Sequence, residues 1–196
     1  MAHTVSDKPE VAPGGRGFPE ASVYRGLKLA AFDVDGVLTD GRICLNPQGL
    51  ETNNFHVRDG SGLALLRHAG LQVAIVSGRK SLAVQARARE LEIPPRRVWQ
   101  GARHKRVSYQ EMLAACGVRD AEVAYVGDDL VDLPILERVG LACCPCDAHA
   151  SVIAACHAVA ALPGGRGAVR QLCEHILKQR GPEVWEKTLR RYLGRE

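Results

Sequence analysis

Apolar residues gather in short runs at 29–32, 73–76, 123–126 and 141–143, with a weaker run at 98–99. Each run is nearly continuous rather than alternating, as expected of strands buried on both faces. Between them, residues 81–91, 105–116 and 130–139 space their apolar positions as helices do. This alternation predicts an α/β fold, a three-layer parallel sheet with helices on both faces. One segment departs from it. In "GRICLNPQGLETNNFHV", residues 43–45 and 52–57 flank Asn46, Pro47 and Gly49, which predicts a β-hairpin beside the carboxyl end of the first strand.

The chain ends read differently. Residues 1–26 hold Pro9, Pro13, Gly14, Gly15, Gly17 and Pro19 with few large apolar groups, so a flexible tail is expected there. Residues 27–180 form the expected domain, and 181–196, "GPEVWEKTLRRYLGRE", a helical tail. Pro182 suits a helix start, and Trp185, Leu189, Tyr192 and Leu193 share one helical face, suited to docking on its own subunit or on a neighbour.

The 196 residues suit one domain with a sizeable core, and 46% hydrophobic with 24% charged residues is ordinary for a globular protein. A net charge of +4 fits anionic small molecules as well as nucleic acid and decides neither; the site residues below favour a small molecule, with no nucleic acid or membrane partner expected. No apolar stretch reaches the ~18 residues of a membrane span. The first residues lack the basic-then-apolar layout of a secretion signal. Seven cysteines then fit free thiols in a reducing compartment, and the cytoplasm is the expected location. Cys143, Cys144 and Cys146 cluster in "ACCPC", but only His149 stands nearby. A zinc site lacks its second ligand pair, and small buried hydrophobes at a strand end are the plainer reading.

Chemistry concentrates where the apolar runs stop. The first run ends in Asp33 and Asp35, "VAIVSGR" delivers Ser77, Gly78 and Arg79, and "RRVWQGARHK" leads to Lys105. "VAYVGDD" delivers Asp128 and Asp129, with Asp132 one helical turn on. Ligands of open parallel sheets bind beyond the carboxyl ends of strands, so these groups converge on one edge. Two carboxylates ~4 Å apart repel by about 4 kcal/mol at an effective dielectric of about 20. Such a cluster calls for a divalent cation, and all-oxygen ligation favours magnesium, which pairs readily with phosphate. Lys105 and the Ser77 hydroxyl and N–H would hold the remaining phosphate oxygens, while Gly36 and Gly78 let the backbone approach.

Competing motifs fall short. "DVDG" as a calcium loop needs glycine sixth and glutamate twelfth, where Leu38 and Cys44 stand. Gly60 and Gly62 lack the third glycine of a dinucleotide fingerprint, and Arg79 breaks a Walker reading. "GDDLVD" taken by itself is also compatible with a capped helix start.

The ordered set resembles the haloacid dehalogenase superfamily of phosphotransferases, with its Rossmann-like fold. That resemblance implies a nucleophile at Asp33, a general acid/base at Asp35, phosphate binding by Ser77 and Lys105, and magnesium at Asp33, Asp128 and the Asp35 carbonyl. Asp129 and Asp132 would support the cluster. Across residues 27–180, "FDVDGVLTDG", "VRDGSGLALL", "VSGRK" and "YVGDDLVDLPILERVGL" are similar to the 3-deoxy-D-manno-octulosonate 8-phosphate phosphatase family. Its members have a hairpin in place of a cap domain and form homotetramers through it. They hydrolyse an eight-carbon sugar-acid phosphate used in lipopolysaccharide synthesis. The matching positions imply substrate contacts at Asp35, Arg58, Asp59, Gly60, Gly78, Arg79, Arg87 and Lys105. The loop "GGRG", Gly164 to Gly167, stands before a helix where it could help bind an anion.

Three alternatives follow from the same residues. Relatives acting on nine-carbon acids tend to carry an acidic residue at the place of Arg79, which favours the eight-carbon substrate, although octulosonate enzymes often have a basic residue where Ala64 stands. A silent oligomerisation domain, as appended to some sugar-acid cytidylyltransferases, would have eroded carboxylates. A phosphorelay receiver would place its lysine last, whereas Lys105 precedes Asp128.

Overall fold

Seven strands share one sheet in a computed structural model that describes residues 10–49 and 51–195. In chain order the strands are β1 (Val11–Pro13), β2 (Leu29–Phe32), β3 (Cys44–Leu45), β4 (Glu51–Thr52), β5 (Gln72–Ser77), β6 (Val98–Gln100), β7 (Val123–Val126), β8 (Leu141–Cys144) and β9 (Ala158–Ala160). The helices are α1 (Ala21–Gly26), α2 (Val57–His68), α3 (Leu82–Glu90), α4 (Lys105–Cys116), α5 (Leu133–Leu136), α6 (Ala150–Ala155), α7 (Ala168–Arg180) and α8 (Pro182–Tyr192).

The large sheet runs β1-β9-β8-β7-β2-β5-β6, with every pairing parallel except β1 on β9. All four residues of β2 are buried, because both of its faces are covered. Ala30 and Phe32 join Leu63 and Leu66 of α2 and Leu172 and Ile176 of α7. Leu29 and Ala31 join Tyr109 and Met112 of α4, Ile135 of α5 and Val152 of α6. Each large side chain so buried is worth about 1.5–3 kcal/mol, which is why these runs contain almost no polar residue. From β2 the chain builds outward through β5 and β6, then returns to the other side with β7, β8 and β9. The order therefore reverses at β2, and the crevice of a parallel sheet opens there.

Several boundaries differ from expectation. Residues 10–26 of the expected tail are structured, and residues 1–9 lie outside the described residues. Val11, Ala12 and Pro13 pair with Ala160, Val159 and Ala158, and α1 buries Tyr24, whose hydroxyl lies 3.0 Å from His175 Nε2. A three-residue strand supplies too short a pattern to be read; its partner β9 gives it its order. The hairpin is shorter than expected: β3 pairs β4 only at Cys44↔Thr52 and Leu45↔Glu51, and Val57 opens α2 instead. The expected helix at 130–139 starts with a 3₁₀ turn at Leu130–Asp132 before the short α5. The helical tail folds back on its own chain, with Val184, Trp185 and Leu189 against the core and Lys178 Nζ 5.3 Å from the Trp185 ring. Cys143 and Cys144 are fully buried in β8 and serve as small apolar residues.

Candidate active site

The end of β2 and the loop after β7 meet because Asp33 N–H donates to Val126 O at 2.9 Å, extending the β2–β7 ladder by one residue. Asp33 thereby enters the crevice while only 5% exposed. The loop then turns sharply at Gly36, whose φ is +84°, and a Cβ there would lie 2.0 Å from Asp128 Oδ2. Only glycine lets the two loops close on each other.

Lys105, the first residue of α4, is buried between two carboxylates. Its Nζ lies 2.7 Å from Asp33 Oδ2 and 2.7 Å from Asp132 Oδ1. Asp132 has its acceptors fully used. Oδ1 also takes the Tyr125 hydroxyl at 2.6 Å, and Oδ2 takes the N–H groups of Asp128 and Asp129 at 3.2 and 3.3 Å. Asp128 is different: its Oδ1 is buried with no hydrogen-bond partner. One carboxylate oxygen from each of Asp33, Asp128 and Asp132 falls within 4.8 Å of the others.

Three carboxylates against one ammonium leave the pocket short of positive charge. Burial, with the Asp132 charge, pushes Asp33 up to about 7. Burial, with the charges of Asp33 and Asp132, pushes Asp128 up to about 8. Burial works to lower Lys105, but the carboxylates beside it outweigh this and raise it. An orphaned, buried carboxylate oxygen next to a second carboxylate suits a hard divalent cation, and the donor set is all oxygen. Asp33 and Asp128 have the capacity; Asp132 orients the lysine.

The rim is built by β5 and β6. Ser77, 1% exposed, accepts from Arg79 N–H at 3.2 Å, which leaves its own hydroxyl hydrogen to donate into the crevice. Arg79 pairs with Glu51 of the hairpin and lies 4.0 Å from Asp35 Oδ2. Burial raises Asp35, with the Arg79 charge opposing that rise. Its carboxylate thus faces the mouth rather than the three-carboxylate cluster. Gly78 and Arg79 line an open cleft of about 640 Å³ with Lys80, Gly101 and Arg103.

Asp33, Asp35, Ser77, Lys105, Asp128 and Asp132 therefore gather at one sheet edge. Asp129 is exposed and contributes its N–H to Asp132. The other four positions stand apart within the chain. Asp59 is 1% exposed and caps α7, accepting from Gly167 N–H at 3.2 Å and Arg170 N–H at 2.8 Å. Its carboxylate fills the place where the "GGRG" loop was expected to hold an anion. Gly60 packs under Arg87, whose guanidinium would lie 2.3 Å from a Cβ there, and Arg87 pairs with Glu90. Arg58 is exposed and lines a separate hollow with His56, Arg166 and Arg170. Two contributors escaped the sequence reading. Tyr125 is a hydroxyl set in a buried strand, a visible signal; Glu51 depends on how the hairpin folds over Arg79.

No protein-family model matches the chain. It is 42% identical over 151 residues to the 3-deoxy-D-manno-octulosonate 8-phosphate phosphatase of Yersinia pestis, covering 77% of this chain and 80% of that one. The fold matches a hydrolase from Legionella pneumophila assigned to the haloacid dehalogenase superfamily, subfamily III A, with a TM-score of 0.84 and 38% identity. That match covers 89% of this chain and 93% of the other. It also matches the 3-deoxy-D-manno-octulosonate 8-phosphate phosphatase of Moraxella catarrhalis, solved with magnesium, phosphate and the sugar acid. There the TM-score is 0.82 and the identity 34%, over 88% of this chain and 97% of the other.

Proposed function

The chain belongs to the 3-deoxy-D-manno-octulosonate 8-phosphate phosphatase family within the haloacid dehalogenase superfamily, and from that premise we propose that it hydrolyses this sugar-acid phosphate with magnesium. The observation that carries the reading is the buried Asp33, held 2.7 Å from the Lys105 ammonium at the point where the strand order reverses.

Asp33 attacks phosphorus, and the bond from phosphorus to the sugar oxygen breaks. Asp35 gives its proton to the departing alkoxide, then takes one from the water that attacks the aspartyl-phosphate, freeing phosphate and Asp33. Its raised pKa favours the protonated start of that cycle. Lys105 and Ser77 hold phosphate oxygens and Lys105 aims the Asp33 carboxylate. Asp33, Asp128 and the Asp35 backbone carbonyl would hold magnesium, which offsets the charge of carboxylates and phosphate together.

The active form is a homotetramer assembled through the hairpin, whose Ile43 and Leu45 are 57% and 62% exposed beside the mouth. Free cysteines suit a cytoplasmic enzyme.

The test compares kcat/KM over eight- and nine-carbon keto sugar-acid phosphates with magnesium present. The eight-carbon 8-phosphate should stand highest. A preference for nine carbons would reassign the substrate, and no turnover of any member would end the reading.

A further inference from the structure

The phosphate end of the substrate is provided for at the base of the crevice, but a keto sugar acid carries a second anion, its carboxylate, which must lie further out. Arg79 is poorly placed to take it, since Glu51 and Asp35 already offset its charge. Two other cations line the same cleft. Lys80 and Arg103 are exposed, and among the described residues neither makes an ion pair.

Their relative placement is fixed by backbone. Ala102 N–H donates to Ser77 O at 3.0 Å and Gly101 N–H to Arg79 O at 3.0 Å, which ties the loop after β6 to the loop after β5. The Lys80 stem lies along Gly101, where an added Cβ would meet its Cε at 2.7 Å. Lys80 and Arg103 thus line one cleft from two loops that backbone hydrogen bonds hold together, with Gly78 and Arg79, the residues that follow Ser77, between them and the crevice.

We propose that Arg103, with Lys80, forms the subsite that binds the substrate's carboxylate and so selects sugar-acid phosphates over neutral sugar phosphates. This rests on the phosphatase reading above. A guanidinium gives a carboxylate two parallel hydrogen bonds, and in a half-open cleft such a contact is worth about tenfold in affinity.

The experiment compares 3-deoxy-D-manno-octulosonate 8-phosphate with its 1-carboxamide, which keeps the shape and loses the charge. The wild type should prefer the acid. Arg103→Ala and Lys80→Gln should each raise KM for the acid by about tenfold and leave the amide little changed, erasing the preference. Arg103→Lys should restore part of it. Arg96→Ala, a charge removed at the amino end of β6, is the control and should preserve the preference. The idea is overturned by a wild type that treats acid and amide alike. It is also overturned if the preference survives in both variants, or if KM rises equally on both substrates. If the wild type turns over neither, smaller phospho-acids and their amides give the same readout, and then only the assignment of the sugar falls.

Discussion

The Lys105 ammonium sits midway between Asp33 and Asp132, 2.7 Å from each, so the lysine that would steady the nucleophile is itself steadied by a carboxylate with no acceptor left to offer. Tyr125 and two backbone N–H groups complete that support. The arrangement separates the groups proposed to act on phosphate, Asp33 and Lys105, from Asp132 and Tyr125, which hold the lysine in place.

Asp132→Ala should therefore be costly twice over. It leaves the Tyr125 hydroxyl and two N–H groups without their acceptor, and Lys105 with a single partner. Breaking one side of a buried charge network costs on the order of 3–5 kcal/mol. Chemical denaturation should show that loss, and kcat should fall while Arg96→Ala controls stay normal. A wild-type unfolding midpoint would show that Lys105 holds its place without Asp132.

Asp33→Asn should abolish turnover of every phosphate ester, because no aspartyl-phosphate can form. Asp35→Asn should differ by substrate. A sugar alkoxide needs a proton to leave, whereas nitrophenolate does not. The variant should lose most activity on the sugar phosphate, yet give a rapid nitrophenolate burst approaching one per site before slow turnover. Equal losses on both substrates without a burst would remove Asp35 from acid/base duty.

Metal binding should release protons near neutrality. Asp33 and Asp128 stand at about 7 and about 8, above the usual 3.8 of an unfolded aspartate. A carboxylate raised on folding contributes stability that is full below its unfolded value and lost as pH rises through its folded value. The metal-free melting temperature should fall between about pH 4 and pH 8, and magnesium should flatten that slope by replacing the protons. Calorimetric titration at pH 7 in two buffers of different ionisation enthalpy should give different apparent heats. Identical heats would mean that both carboxylates are already ionised.

The hairpin offers a direct test of assembly. Leu45→Asp places a charge on an exposed apolar position beside the crevice; if the proposed tetramer forms through the hairpin, light scattering should show smaller species and KM should rise. A wild-type monomer with normal kcat would remove the assembly from the mechanism.

Asp33, Ser77 and Asp128 were legible at the sheet edge because each stands at or just past the end of an apolar run. A strand buried on both faces has nowhere else to put a carboxylate than past its end, so Asp33, Ser77 and Asp128 announce themselves. Asp59 sits in a motif that looks equally functional, but its partners are the N–H groups of Gly167 and Arg170, more than a hundred residues away, and local pattern carries no trace of that contact. Glu51 was hidden for a similar reason, since its meeting with Arg79 depends on hairpin geometry. The segment 10–26 misled because its order comes from pairing with β9 and from burial of Tyr24, neither of which its own composition reveals.

That first strand also guards solubility. Without β1, the outer side of β9 would present unpaired backbone groups from Ala158, Val159 and Ala160, a template for pairing with another copy of the chain. β1 covers them antiparallel and carries Pro13, which has no N–H to donate onward, so growth of the sheet stops there. A chain trimmed to begin at Arg16 would keep every residue of the crevice and still be prone to edge-to-edge aggregation, an outcome easily mistaken for damage to the active site.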